Sequence, residues 1–467
     1  MRFARSIKTG VKRRGIQVTS TATTDIERRT IRKITIRMLP LVGLCYIVLY
    51  LDRLNISVAA LTMNEELGIT ASAFGLAAGI FFWTYTVVEV PSNYILGKVG
   101  TRIWVTRIMI TWGLVTIGTA FVHSATSLSV ARLLLGIAEA GFSPAMLFFA
   151  ACWFPKKQRG TAVAMMFSAI CVSAVLTPLL THILEWTDGL AGISGWRWLF
   201  VMTGIPPVVL GFVWYRVVRD SPARATFLDD DEKSWLAETL KREAPDQAGE
   251  GSPRHMSFVS GILNWRVAVL TVVFLCFTFS LYGYQFWIPQ IVKNFGVTNN
   301  QVGWISAIPP LLAIGPMLLW ARHSDRTQER VGHFCVAAVT AAAGFTIAAV
   351  FLSEPVMAMV GFSIAGIGLY SAMAMIMVIP STFLTGAALA AGLAFINGTG
   401  NFGGYLGPHV TGLIKESTGS FTLAAAIFAV SILTAAVIAF IFKQVTESAA
   451  KGATGIPKGP LPTATAH

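Results

Sequence analysis

The chain is organised by long apolar runs separated by short polar segments. Runs of about 20 residues, enough to cross a bilayer core of roughly 30 Å as a helix, lie in the first half at 38–61, 74–97, 103–123, 127–151, 161–185 and 197–217. The second half has matching runs at 266–291, 301–321, 333–353, 356–379, 387–413 and 420–442. This pattern predicts an all-α integral membrane protein with twelve transmembrane helices in two six-helix bundles.

The polar segments divide the chain further. We predict a basic cytoplasmic tail at 1–36, an N-terminal six-helix bundle at 37–218, a cytoplasmic linker at 219–264, a C-terminal six-helix bundle at 265–443 and a cytoplasmic tail at 444–467. The first tail is expected to be disordered and held near anionic headgroups, and the linker to contain one amphipathic helix around Trp235 to Arg242. Similar loops after the second and eighth runs indicate a duplication, which places a substrate between the two halves.

Composition and charge narrow the class of protein. Hydrophobic residues make up 54% of the chain and charged residues only 13%, against about a quarter charged in soluble domains. Of the 36 Lys and Arg, 31 lie in the tails and in the loops after every second run, as the positive-inside rule requires of cytoplasmic segments. We therefore expect both termini in the cytoplasm of a bacterial inner membrane, no cleavable signal, and a lipid bilayer rather than nucleic acid as partner.

The cysteines and the other reactive side chains do not indicate an enzyme. Five cysteines lie singly and mostly within apolar runs, so neither a disulfide framework nor a metal site is predicted. The runs contain no nucleophile–base arrangement. We expect no cofactor beyond a proton as the coupling ion, and a monomer.

Charged residues in the first and fourth apolar runs are of most interest: Asp52 and Arg53 lie in the first, and Arg132 and Glu139 in the fourth. Each costs about 2.5–3.5 kcal/mol at the middle of a membrane, so such residues are usually functional. The alternative is a set of structural ion pairs that hold the first and fourth helices together. Arg132 and Glu139 are seven residues apart, on one helix face but about 10.5 Å apart along the axis, so they are not expected to pair with each other.

The motifs around these charges point to a family. They are Asp52-Arg53-x-Asn55-Ile56, Glu89-Val-Pro91-Ser-Asn93, and Arg132-x3-Gly136-x2-Glu139-Ala-Gly141 with Trp153-Phe-Pro155 after it. In these motifs and its loops the chain resembles the major facilitator superfamily over residues 37–443, and within it the anion:cation symporter family. The resemblance implies that Arg53 meets a substrate carboxylate, that Asp52 and Glu139 carry protons, and that Arg132 partners one of these acids.

The resemblance also suggests a binding pocket. Positions that hydrogen-bond substrate in the family correspond to Tyr50, Tyr85 and Asn397, with Asn401 one turn further on; Tyr284, Gln285 and Trp287 are additional candidates. Relatives that carry sugar acids have Gln, Ser, Thr and Trp at positions that match Ile170, Ala374, Ile376 and Met377. An apolar lining cannot repay the desolvation of many hydroxyls, so we predict proton-coupled import of an aromatic carboxylate of the phthalate or hydroxyphenylacetate type.

Other substrates and directions stay open. One alternative is a sugar acid or hydroxy-dicarboxylate such as galactonate, glucarate or tartrate, and another is an organic-anion exchanger or exporter of the same fold. The fifth run lacks the Gly-Pro-x-x-Gly-Gly element of drug–proton antiporters, which favours symport. In the gating loops we expect roles for Arg102, Asp325 and Arg326, although the first loop reads Gly100-Thr101-Arg102 without the acid that the family's motif carries.

Overall fold

Helices account for nearly all of the chain. A computed structural model describes residues 11–243, 263–384 and 386–454, and no strand occurs within these ranges. The first half contains α1 (Val11–Glu66), α2 (Ala71–Thr119), α3 (Ala125–Glu139), α4 (Phe142–Trp153), α5 (Lys156–Val175), α6 (Thr177–Trp186), α7 (Gly195–Val217) and α8 (Asp230–Glu243). The second half contains α9 (Trp265–Lys293), α10 (Asn299–Thr327), α11 (Val331–Val350), α12 (Pro355–Ile376), α13 (Gly386–Gly400), α14 (Phe402–Thr418) and α15 (Thr422–Thr454).

These helices account for the predicted spans. In the described part of the chain, ten helical segments are long and apolar enough to cross a membrane. One of them, Ala71–Thr119, contains both the second and the third predicted span, which meet at the non-helical residue Gly100. The predicted span 387–413 is divided between α13 and α14 by a break at Asn401. The prediction of an all-helical protein with twelve spans is confirmed.

Contacts group the described helices into two units. Of the described residues, unit 1 takes in 11–243, 282–311 and 404–421, and unit 2 takes in 263–281, 312–384, 386–403 and 422–454. In unit 1, α1 packs on α5 and α7, and α2 packs on α3 and α7; in unit 2, α11 packs on α12 and α15. The five segments predicted above follow the order of the chain, whereas these two units group helices by contact. The five-segment division therefore stays a prediction.

The prediction of a disordered basic tail is wrong for residues 25–36. This segment belongs to α1, and Thr30 and Ile34 are fully buried there. Lys33 pairs with Asp229 and Glu232 at 2.9 Å each. These two acids lie at the start of α8, which is the helix predicted around Trp235. They neutralise part of the basic segment and hold it in an ordered position.

A turn between the second and third spans depends on one glycine. Gly100 has φ 83, a left-handed conformation that costs other residues about 1–2 kcal/mol. A side chain there would also press on the carboxylate of Asp220, which accepts a hydrogen bond from the Arg102 backbone N–H at 2.8 Å. The acid missing from this loop motif is thus replaced in space by Asp220, which follows α7.

We expect Gly100→Ala to destabilise the protein by about 1–2 kcal/mol or more, since the backbone penalty adds to the collision with Asp220. The check is the thermal unfolding midpoint of the detergent-solubilised protein. Gly97→Ala is the matched control, because an added Cβ at Gly97 meets nothing within 4 Å. Equal midpoints for the two variants would contradict this account of the turn.

Candidate functional site

Asp52 lies in the last third of α1 and is fully buried. Its two carboxylate oxygens accept hydrogen bonds from Asn55 Nδ2 and Thr116 Oγ1, each at 3.1 Å. Asn55 also donates to Thr203 Oγ1 at 2.9 Å. Neutral donors on α1 and α2 therefore hold this acid, which leaves it able to bind and release a proton without breaking an ion pair.

Arg53 is directed into a different environment. Its Nε donates to Glu139 Oε2 at 3.0 Å, and the exposed fractions of the two side chains are 8% and 0%. The guanidinium carbon lies 5.1–5.4 Å from the ring centroids of Tyr50, Phe81 and Tyr85, within the range of cation–π attraction. Arg53 thus sits among three aromatic rings with one carboxylate beside it.

Close packing of α3 on α2 brings Glu139 to this position. A Cβ at Gly136 would collide with Phe81 and Thr84, and Thr84 Oγ1 donates to the Leu133 carbonyl at 3.0 Å. The helix stops after Glu139 because Gly141 has φ 94. The spacing of the motif is therefore structural: its first glycine permits the approach and its second ends the helix at the acid.

Arg132 lies apart from both acids. It is 1% exposed, and its guanidinium carbon lies 4.9 Å from the Phe81 ring centroid. Within the described residues its three guanidinium nitrogens have no hydrogen-bond partner and no carboxylate lies within 4.0 Å of them. As expected, Arg132 does not pair with Glu139, and the ion pair with Asp52 or Glu139 that the family resemblance implies is not formed in this structure.

A small cavity opens next to Arg53 within unit 1. Its volume is about 10 Å³, room for roughly one water molecule. It is lined by Tyr50, Arg53, Leu54, Ile170, Ala174, Tyr282, Gln285 and Phe286. Four of these residues were predicted from the sequence: Tyr50, Arg53, Ile170 and Gln285. Any organic anion requires the cavity to widen.

The other lining residues were missed, and two of them carry a recognisable signal. Tyr282 and Phe286 are one turn apart on α9, so they share a helix face with each other. Phe82 packs on both rings, with centroid distances of 4.2 and 6.1 Å. Aromatic residues at helical spacing around Gln285 could have indicated this face, although the same pattern is common in helix cores.

The remaining predicted binding residues lie elsewhere. Trp287 Nε1 donates to the Pro408 carbonyl at 3.0 Å, and its ring meets Phe74 edge-on at 5.1 Å, a packing environment rather than a wall of the cavity. Tyr284 is 2% exposed on α9 and, like Tyr85, is not among the lining residues. The predicted residues of the second half that belong to unit 2 are Ala374 and Ile376 on α12, Met377 after it, Asn397 on α13 and Asn401 after α13.

The predicted gating residues lie in α2, just after the turn at Gly100, and in the last turn of α10. Arg102 Nε donates to the Tyr215 carbonyl at 2.8 Å. At the end of α10, Asp325 pairs with Arg330 at 2.6 Å, whereas Arg326 is exposed. Next to this pair, burial of Glu329 is outweighed by hydrogen bonds from Lys443, the Gly332 backbone and His333, which lower the Glu329 pKa to about 2.

No metal centre competes with this site in the described part of the chain. There, no group of three or more His, Cys, Asp and Glu side chains is arranged to hold a metal ion. What the geometry offers is a permanent cation shared between a buried carboxylate and a cavity, with a second buried acid one residue away. Such an arrangement suits the binding of an anion and the movement of protons.

Comparison with known proteins places the chain in a family. The profile described as the Major Facilitator Superfamily matches residues 42–387 and 270–466. A protein of Agrobacterium vitis named "Putative tartrate transporter" is 43% identical over 400 residues, covering 86% of this chain and 88% of the relative. A "Quinolone resistance transporter" of Acinetobacter baumannii is 36% identical over 410 residues, covering 88% and 93%.

Solved structures agree on the fold. The partially occluded inward-open xylose transporter XylE from E. coli has a TM-score of 0.68 at 13% identity, covering 87% of this chain and 97% of that chain. The bacterial homologue of the lysosomal transporter Spinster has a TM-score of 0.67 at 16% identity, covering 88% and 96%. The chain therefore belongs to the Major Facilitator Superfamily and is a membrane transporter rather than an enzyme.

Proposed function

We propose that this transporter imports an organic carboxylate together with protons, by alternating access of its site to the two sides of the membrane. The observation that carries the proposal is the buried Arg53–Glu139 ion pair beside the cavity. A guanidinium can bind a second carboxylate through parallel hydrogen bonds. The relatives named as tartrate transporters support an organic anion as substrate.

Coupling follows from competition for one cation. A substrate carboxylate that enters the cavity draws the Arg53 guanidinium away from Glu139. Since Glu139 is fully buried and an uncompensated buried charge is costly, the released carboxyl group takes up a proton instead. Asp52, which is adjacent to Arg53 and accepts hydrogen bonds from the neutral donors Asn55 and Thr116, is the second proton carrier. Substrate and proton are then bound in the same step of the cycle.

Two classes of carboxylate substrate are each supported by different observations. The apolar and aromatic part of the lining, which includes Ile170, Ala174 and Phe286, favours the aromatic carboxylate predicted from the sequence. Tyr50, Tyr282 and Gln285 line the same cavity, and their hydroxyl and amide groups are of the kind that hydrogen-bond a hydroxylated acid. Together with the Agrobacterium relatives, they favour a hydroxy-dicarboxylate of the tartrate type as the second candidate.

Export is the other candidate direction, since a relative at 36% identity is named as a quinolone resistance transporter. The absence of the antiporter element from the fifth span favours import. We further propose that the transporter lies in a bacterial inner membrane with both termini in the cytoplasm. Lys and Arg cluster in the segments that this orientation places inside.

Uptake into proteoliposomes tests the proposal. We expect an inwardly directed proton gradient to drive accumulation of phthalate, hydroxyphenylacetate, tartrate or galactonate, and a protonophore to abolish it. Competition among the four acids at equal concentration identifies the preferred substrate, and the neutral amide of that substrate should not compete. Uptake that ignores the proton gradient, or a gradient that drives only efflux, would remove the symport mechanism.

A further inference from the structure

Two interfaces in unit 1 join helices from the two halves of the chain at the same end of their spans. In the first, α2 runs along α14 so closely that a Cβ at Gly75 would collide with the Pro408 carbonyl. In the second, α10 runs along α6, and a Cβ at Gly303 would collide with Thr181. In the proposed orientation this end faces away from the cytoplasm, and we refer to it as the outer end.

Both interfaces end in the same kind of hydrogen bond. Glu416, in the last turn of α14, accepts from the backbone N–H of Ser72 at 2.8 Å. Glu185, in the last turn of α6, accepts from the backbone N–H of Asn300 at 2.8 Å. Ser72 and Asn300 are each the second residue of their helix. The first N–H groups of a helix lack partners within it and carry the positive end of its dipole. We call these two contacts the glutamate clasps.

The clasps are related by the duplication of the chain. The helices α2 and α10 begin the second span of their respective halves, and α6 and α14 end the fifth span. Each clasp therefore joins the fifth span of one half to the second span of the other. The contact therefore occurs twice, with each half supplying the glutamate of one copy, and the two copies together close the outer end. Both copies have to break when the halves move apart at that end.

We propose that Glu185 and Glu416 are positioning residues of the transport cycle, which hold the outer end closed and so set the fraction of transporters open to the outside. The inference rests on the proposed alternating-access function. Neither glutamate lines the cavity. A carboxylate at a helix N-terminus shifts an equilibrium about two- to fivefold, so the two clasps together favour closure by about tenfold.

The test combines a distance with a kinetic constant. In a background without the five native cysteines, spin labels at the exposed positions His123 and Asn294 report the separation of the outer ends of the two halves. We expect the double variant Glu185→Ala/Glu416→Ala to raise the population at long distance about tenfold. External substrate binds only the form that is open to the outside. As long as this form remains a small fraction of the transporters, KM for uptake should fall by a similar factor.

The matched control is Glu65→Ala, which removes an exposed acid from the same end. Within the described residues its side chain makes no hydrogen bond or ion pair. Unchanged distances and unchanged KM in the double variant would overturn the inference, as would an equal response of the control. The distances are measured without substrate. A shift in distance without carboxylate uptake would therefore support the clasps and contradict only the proposed function.

Discussion

Replacing Glu139 by glutamine is expected to abolish uphill accumulation of the substrate while leaving exchange across the membrane. Glutamine has the shape of the protonated acid but cannot release a proton, so Arg53 loses its buried counter-charge permanently. One pH unit of gradient supports about tenfold accumulation for each proton carried. In proteoliposomes with such a gradient, we expect the accumulation ratio to fall from about tenfold or more to about one.

Counterflow distinguishes lost coupling from a lost site. Glu139→Gln should still exchange internal unlabelled substrate for external labelled substrate, since Arg53 and the cavity are intact. Asp52→Asn should behave in the same way if Asp52 is the second carrier. Glu65→Gln, at an exposed acid, serves as the control for loss of a negative charge. Normal proton-driven accumulation in both Asp52→Asn and Glu139→Gln would contradict the coupling mechanism.

Loss of the Arg53 guanidinium is expected to weaken substrate binding by a factor of about one hundred or more. Truncating one partner of a buried, hydrogen-bonded charge pair costs about 2–5 kcal/mol, and among the described residues no other cation lines the cavity. Arg53→Lys keeps the charge but not the planar pair of donors, so an intermediate loss is expected. The measurement is the dissociation constant of the preferred carboxylate in detergent.

A paired substitution keeps this prediction independent of folding. Arg53→Ala alone leaves Glu139 buried without a counter-charge, which costs about 3–5 kcal/mol. The double variant Arg53→Met/Glu139→Gln removes both charges and should recover the thermal stability, yet it should not bind substrate. Substrate binding by the double variant at the original affinity would show that the carboxylate is held elsewhere.

Sequence reasoning located the costly charges but not their pairing. Asp52 and Arg53 are neighbours on α1, and the family resemblance implied different tasks for them, which the angle of about 100° between adjacent helical positions permits. The sequence did not show that Arg53 pairs with Glu139 rather than with Asp52, since Arg53 and Glu139 are 86 positions apart. Their meeting depends on the approach of α3 to α2 at Gly136.

The pocket was predicted less completely than the charges. Tyr50 and Gln285 were identified, but Tyr282 was not, because an aromatic residue in an apolar helix is as compatible with a core as with a binding site. The Asp220 carboxylate at the turn after α2 was missed for another reason: it replaces an acid of the local motif from more than a hundred residues away. Motif reading records the absence of the acid but not its substitute.

The sequence by itself determined that this protein is a helical membrane protein, because runs of apolar residues and the placement of Lys and Arg act through length and charge alone, and its motifs indicated a transporter by family resemblance. It also determined that Asp52, Arg53, Arg132 and Glu139 are costly in a membrane. Only the tertiary structure decided that Arg53 pairs with Glu139, that Arg132 rests on Phe81, and that two glutamates clasp helices of the opposite halves. These are contacts of a few ångströms between distant segments, and they are set by how closely helices approach one another.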